Sequence, residues 1–111
     1  MVLRGRGCVV TRFDDVICEA IATMHLLVVQ YGGAQRLVQP HVYGDDAAGE
    51  RLLSAYQVAG GSASGAATGW KSFRIEKVKS LTLSDRRFHA PRPEFQRNDG
   101  AFSRIICQIG G

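Results

Sequence analysis

Two hydrophobic periods divide the chain. In DDVICEAIATM, residues 14–24, the apolar positions Val16, Ile17, Ala20, Ile21 and Met24 recur at three- and four-residue spacing, which gathers them on one face of a helix. Asp14 or Asp15 is placed to cap its start, where unpaired N–H groups and the helix dipole favour a carboxylate. So short a helix has no stability of its own and must pack on something. That partner follows at once. HLLVVQY, residues 25–31, is apolar and β-branched, and Gly32-Gly33 supplies the positive φ of a tight hairpin before AQRLVQPHVY. Pro40 has no N–H, so this second strand is expected to bend there or to lie at a sheet edge. RLLSAYQVA reads as a third strand, and WKSFRIEKVKSLTL as a fourth with the start of a further element. GGSASGAATG, residues 60–69, is a flexible connection longer than a hairpin needs. Residues 86–100, with Pro91 and Pro93, read as irregular, and RIICQI as a last strand that closes the sheet. Short strands in close succession, one leading helix and no β-α-β alternation predict a mainly β fold, a small antiparallel SH3- or Sm-like barrel preceded by one short helix.

Composition narrows the class. A chain of 111 residues with 45% hydrophobic content is expected to form one folded domain around a single core. No apolar run approaches the roughly 20 residues of a membrane span, and the N-terminus lacks an export signal, so a cytoplasmic protein with no membrane partner is expected. Residues 1–13, with Arg4, Arg6 and Arg12, read as a loosely ordered basic arm. Residues 14–111 read as the single domain, with a C-terminal extension from about residue 84. Cys8, Cys18 and Cys107 are scattered without a CxxC pair, which fits reduced thiols and no zinc site. Cys18 reads as a small buried hydrophobe on the helix.

Charge is unevenly spread. The net charge is +4, yet residues 70–97 hold eight basic side chains against three acidic ones. Such a basic half attracts anions, nucleic acid and nucleotides among them. The fourth strand carries the best candidate site. With two-residue alternation, Lys71, Phe73, Ile75 and Lys77 share one face and Trp70, Arg74 and Glu76 the other. A cation beside a ring on a strand is how small barrels hold phosphates and bases. Tyr31, Arg36 and Tyr56 are positioned to join Lys71, Phe73, Arg74 and Lys77 from neighbouring strands. Competing with that reading, Phe73 and Ile75 belong to the core and the lysines lie along its rim.

Two other motifs carry less. Tyr43-Gly44-Asp45-Asp46 matches the metal-binding turn of template-copying polymerases, but a third carboxylate and a palm-sized sheet are missing. Gly44, Asp45, Asp46 and Gly49 are good turn chemistry, so a surface turn is expected and no metal. His25, His41 and His89 lack a recognisable nucleophile setting, so neither catalysis nor a cofactor is expected.

The order of a helix ending in Glu19-Ala20-Ile21, an apolar strand ending in Tyr31, QRLVQP, a glycine-containing turn, RLLSAYQ and WKSFRIEKV resembles the WYL domain of bacterial regulators. The resemblance covers roughly residues 17–83. The tripeptide that names that family falls on Arg51-Leu52-Leu53, and its arginine-x-phenylalanine step on Lys71-Ser72-Phe73. What the resemblance implies is a ligand-sensing or nucleic-acid-binding regulatory module rather than a catalyst. A single short helix cannot supply the two-helix reader of duplex DNA, so a nucleotide or single-stranded nucleic acid is the expected partner. The alternative is a structural or assembly module whose open edge, at RIICQI, pairs with another protein or a second copy.

Overall fold

The computed structural model describes residues 13–61 and 68–110. Helix α1 (Asp14–Thr23) is followed by strands β1 (His25–Tyr31), β2 (Ala34–Asp45), β3 (Arg51–Gly60) and β4 (Gly69–Arg74). A 3₁₀ turn (Ile75–Lys77) leads into β5 (Val78–Arg87), and β6 (Arg104–Gln108) comes last. Most of the proposed basic arm and the middle of the small-residue connection, residues 62–67, fall outside the described residues.

The fold is mainly β, with one helix before an antiparallel sheet ordered β4-β3-β2-β1-β5. A closed barrel is not formed: among the described residues no ladder joins β4 to β5. RIICQI does not close the sheet either. As β6 it pairs with the far half of β2, Val42 to Asp45, just beyond the stretch of β2 that β1 occupies. Gly44 makes room for it, since a Cβ there would lie 2.1 Å from the Arg104 carbonyl oxygen. Pro40 sits between the two halves, at the point where β3 also shifts register, so the expected bend is a β-bulge in mid-strand.

Helix α1 buries Ile17, Ala20 and Ile21. Met24 lies just past the last helical residue, where it takes a left-handed conformation (φ 55°) and caps the end through its N–H, and it still packs, partly buried, against the core. The expected aspartate cap is also absent, because Phe13 holds the N-cap position. Asp14 is used differently. It accepts hydrogen bonds from the Tyr43 hydroxyl and from Arg51 Nη1 (3.1 Å), fastening the helix to β2 and β3.

The reduced thiols expected from cysteine spacing are overturned at two positions. Cys18 and Cys107 are joined in a disulfide with Cα atoms 5.8 Å apart, tying α1 to β6 across 89 residues of chain. The bridge removes the cysteine argument for a reducing compartment. Cysteine spacing missed it because the helix face and the last strand meet only in the fold. A bridge closing so long a loop restricts the unfolded chain strongly. Cys107→Ser is expected to lower unfolding free energy by about 2–4 kcal/mol, read from the denaturant midpoint, and reductant should do the same to the unaltered protein. Equal midpoints with and without the bridge would contradict this.

Candidate anion-binding site

Residues that pair across a ladder share a face of the sheet, and this sorts the seven candidates. Val29 pairs with Arg36, Tyr31 with Ala34, Ala55 with Lys71 and Leu53 with Phe73. Val29, Ala55, Leu53 and Phe73 are core residues, so Tyr31, Arg36, Lys71 and Phe73 all belong to the inner face. Tyr56 pairs with Trp70 and Arg74 with Leu52, which puts Tyr56 and Arg74 on the outer face. Lys77 is on neither. The 3₁₀ turn interrupts the alternation after Arg74, and Lys77 ends exposed on that turn. Strand period alone carries the alternation three residues too far.

The inner group lies at the end of the sheet away from α1. Arg36 is only 5% exposed. Its Nε–H donates to the Tyr31 carbonyl (3.2 Å), and its guanidinium carbon lies 5.4 Å from the Tyr31 ring centre and 5.9 Å from that of Phe73. The guanidinium is tucked under the Gly32-Gly33 turn, where both residues have positive φ and a Cβ on Gly32 would come within 3.1 Å of Arg36 Nη2. Tyr31 and Phe73 meet edge to face with centres 5.0 Å apart, and the Tyr31 hydroxyl accepts the Arg74 backbone N–H (3.3 Å). That hydroxyl spans the gap between β1 and β4 that no ladder bridges. Phe73 itself is 1% exposed and is a wall of the core, not a surface for stacking.

A buried cation is normally paired with a carboxylate. All ten acidic residues of the chain fall within the described segments, and none forms an ion pair with Arg36. Arg92, half-buried on the outer face, likewise has no ion pair among the described residues and stacks on Tyr56, whereas two other arginines are treated differently. Arg51 joins Asp14 (3.1 Å) and Asp45 (2.6 Å), and Arg74 is held on the outer face by Glu50 (2.7 Å) and Asp46 (3.6 Å). Burial pushes the Asp45 carboxyl up, but hydrogen bonds from Arg51 and Arg104 outweigh it and hold it below the ordinary carboxylate range. Asp46 builds the expected turn, its Oδ1 accepting from the N–H groups of Ala48 and Glu50 (both 2.9 Å). Among the described residues no three histidine, cysteine or acidic side chains gather as metal ligands.

Tyr56 has its own partners. The Arg92 guanidinium carbon stacks 3.8 Å from its ring centre, and Trp70 meets it edge-on at 5.7 Å. Arg92 belongs to residues 88–103, which run irregularly across the outer face and bring Phe88 and Phe95 to His41. Nothing in the two-residue alternation of the strands points to this segment. Its aromatic spacing, Phe88, Phe95 and Phe102 at seven-residue steps, was the available signal that it packs.

Comparison of the chain with protein-family models, with curated proteins and with solved structures gave no match in any of the three.

The burial pattern separates core from surface sharply along one short segment. Phe73→Ala is expected to cost about 3–5 kcal/mol of stability, whereas Lys77→Ala should change it by less than about 0.5 kcal/mol. Urea unfolding of the two variants checks both, and comparable effects would contradict the placement.

Proposed function

We propose that this chain is a non-catalytic module that binds an anionic ligand at the Arg36 end of the sheet, with Arg36 and Lys71 as cations and Tyr31 as the aromatic edge. One observation carries the reading: an arginine that is 5% exposed, its guanidinium beside two rings and in no ion pair with any of the ten acidic side chains. Arginine presents a planar fork suited to phosphate or carboxylate. Lys71, half-buried on the same face, adds positive charge, and the basic excess of residues 70–97 draws anions toward the molecule. A nucleotide suits the site better than a polymer. With Arg36 only 5% exposed, a small anion is a better fit than the evenly spaced phosphates of a strand laid across the surface. The likeness to WYL domains fits a regulatory, ligand-sensing role for such a site. Arg74 and Lys77, separated from it by the sheet and by the 3₁₀ turn, serve the surrounding field rather than direct contact.

Calorimetric titration with a nucleoside monophosphate and with a labelled single-stranded oligonucleotide, at stepped salt concentrations, tests the proposal. Affinity should fall as salt rises. Arg36→Met should weaken binding by about tenfold or more, the loss expected for a charge-assisted hydrogen bond, while Arg74→Ala should leave it within about twofold. Equal affinity in Arg36→Met and the unaltered protein, or a response flat in salt, would refute it.

A further inference from the structure

Residues 88–103 form a strap across the outer face, tethered at both ends. The Phe88 N–H donates to the Met24 carbonyl (2.9 Å) at one end. At the other, the Ser103 N–H donates to the Asp45 carbonyl (2.8 Å), after which β6 is held by its ladder and by the Cys18–Cys107 bridge. Between these ends Asn98 exchanges two hydrogen bonds with Gln108 of β6 (3.0 and 2.9 Å), and the aromatic contacts of the first half of the strap gather on His41. Its imidazole is fully buried, with ring centres 4.9 Å from Trp70, 5.6 Å from Phe88 and 5.4 Å from Phe95.

The hydrogen bonds fix its protonation state. Nδ1 lies 2.9 Å from the Gln39 carbonyl oxygen, which only accepts, so Nδ1 carries the hydrogen. Nε2 lies 3.0 Å from the Arg92 backbone nitrogen, which only donates, so Nε2 is bare. The neutral Nδ1–H tautomer is the one form that satisfies both neighbours.

We propose that His41 is a proton-operated clasp: a proton on Nε2 removes the acceptor holding the Arg92 amide, and the middle of the strap lifts from the Tyr56–Trp70 face while its ends stay tied. The charged groups around the ring favour release. Arg92 places its guanidinium over Tyr56 on the strap side, adding like charge beside an imidazolium. From the same strap, Glu94 accepts the Trp70 indole N–H (3.2 Å), and Arg97 reaches the Ile109 carbonyl (3.4 Å). Among the described residues no carboxylate contacts the ring. The strap is also incompletely packed. A pocket of about 240 Å³, open to solvent, lies between the strap residues Glu94, Phe95 and Asp99 and the sheet residues Val42, Ser54 and Trp70, and Arg92 Nε is buried without a hydrogen-bond partner.

Burial holds the imidazole below its ordinary 6.5, the Gln39 bond opposes this, and Arg92 adds to it. The unfolded or released histidine therefore binds protons more readily than the clasped one. The clasp is at full strength above 6.5 and weakens as pH falls below that value.

Trp70 is the single tryptophan, so its emission reports the strap directly. On acidification from about pH 7.5 to about pH 5, the range in which histidine titrates, emission should shift to the red with far-UV dichroism unchanged. The shift should be absent in His41→Gln, whose side-chain carbonyl accepts the Arg92 amide at any pH. In the unaltered protein, nitrogen chemical shifts at pH 7.5 should report the Nδ1–H tautomer, and hydrogen exchange of the Arg92 amide should accelerate as the pH falls. Emission that does not move, an identical shift in His41→Gln, or loss of dichroism in step with emission would each overturn the clasp. So would an Nε2–H tautomer, which settles the matter even if His41→Gln does not fold.

Discussion

The structure depends on a missing N–H at the middle of its longest strand. Proline at position 40 cannot donate to a ladder, and β2 changes neighbours around it, from β1 before it to β6 after it. On the other side of β2, the β3 ladder passes from Pro40–Ala55 to Val42–Ser54, which leaves His41 as the extra residue of the bulge. A bulge places two successive side chains on one side, so His41 and Val42 both turn to the outer face and Tyr43 returns to the core. Without that step Val42 would turn inward, and Tyr43, whose hydroxyl fastens the helix, would be carried to the outer face.

From this division the two ends of the inner face acquire different electrostatics. At the Tyr43 end, Asp14, Asp45, Arg51 and Arg104 neutralise one another around a tyrosine hydroxyl, and helix, sheet and last strand are fastened together there. The pairing is half-buried and short-ranged, the circumstance in which ion pairs with good geometry matter more than exposed ones. At the Arg36 end the same kind of side chain is enclosed by rings and left without a counter-charge. One end is satisfied by ion pairs within the chain; at the other, the cation rests against two rings and the Tyr31 carbonyl. The disulfide reinforces the contrast, since it joins α1 to β6 at the satisfied end.

The repeating parts of this arrangement were legible from the residues. β1 and β3 have nearly the bounds that their apolar runs suggest, the helix lies where its periodicity puts it, and Gly32-Gly33 is the hairpin turn. The parts that depend on meetings between distant segments were not. Cys18 and Cys107 become neighbours only when β6 takes its place on β2, and spacing along the chain carries no trace of that. The candidate site was legible in kind but not in membership. Two-residue alternation grouped Lys71 with Phe73 correctly, then failed at the 3₁₀ turn, where Ile75–Lys77 leave the strand. Arg36 was visible as a basic residue near Tyr31; its burial and isolation from carboxylates are properties of the packed molecule. His41 offered least, since a histidine after a proline in a strand looks unremarkable until the bulge and the strap give it two opposed hydrogen-bonding partners.

The most direct examination of the Arg36 site is a nuclear magnetic resonance titration with a nucleoside monophosphate, following the Arg36 Nε–H signal and the amides of Gly32 and Gly33. Saturable movement of those signals, with the Trp70 indole and Arg92 amide unmoved at constant pH, is the predicted result. Movement confined to the outer face, or none anywhere at millimolar ligand, would contradict the account.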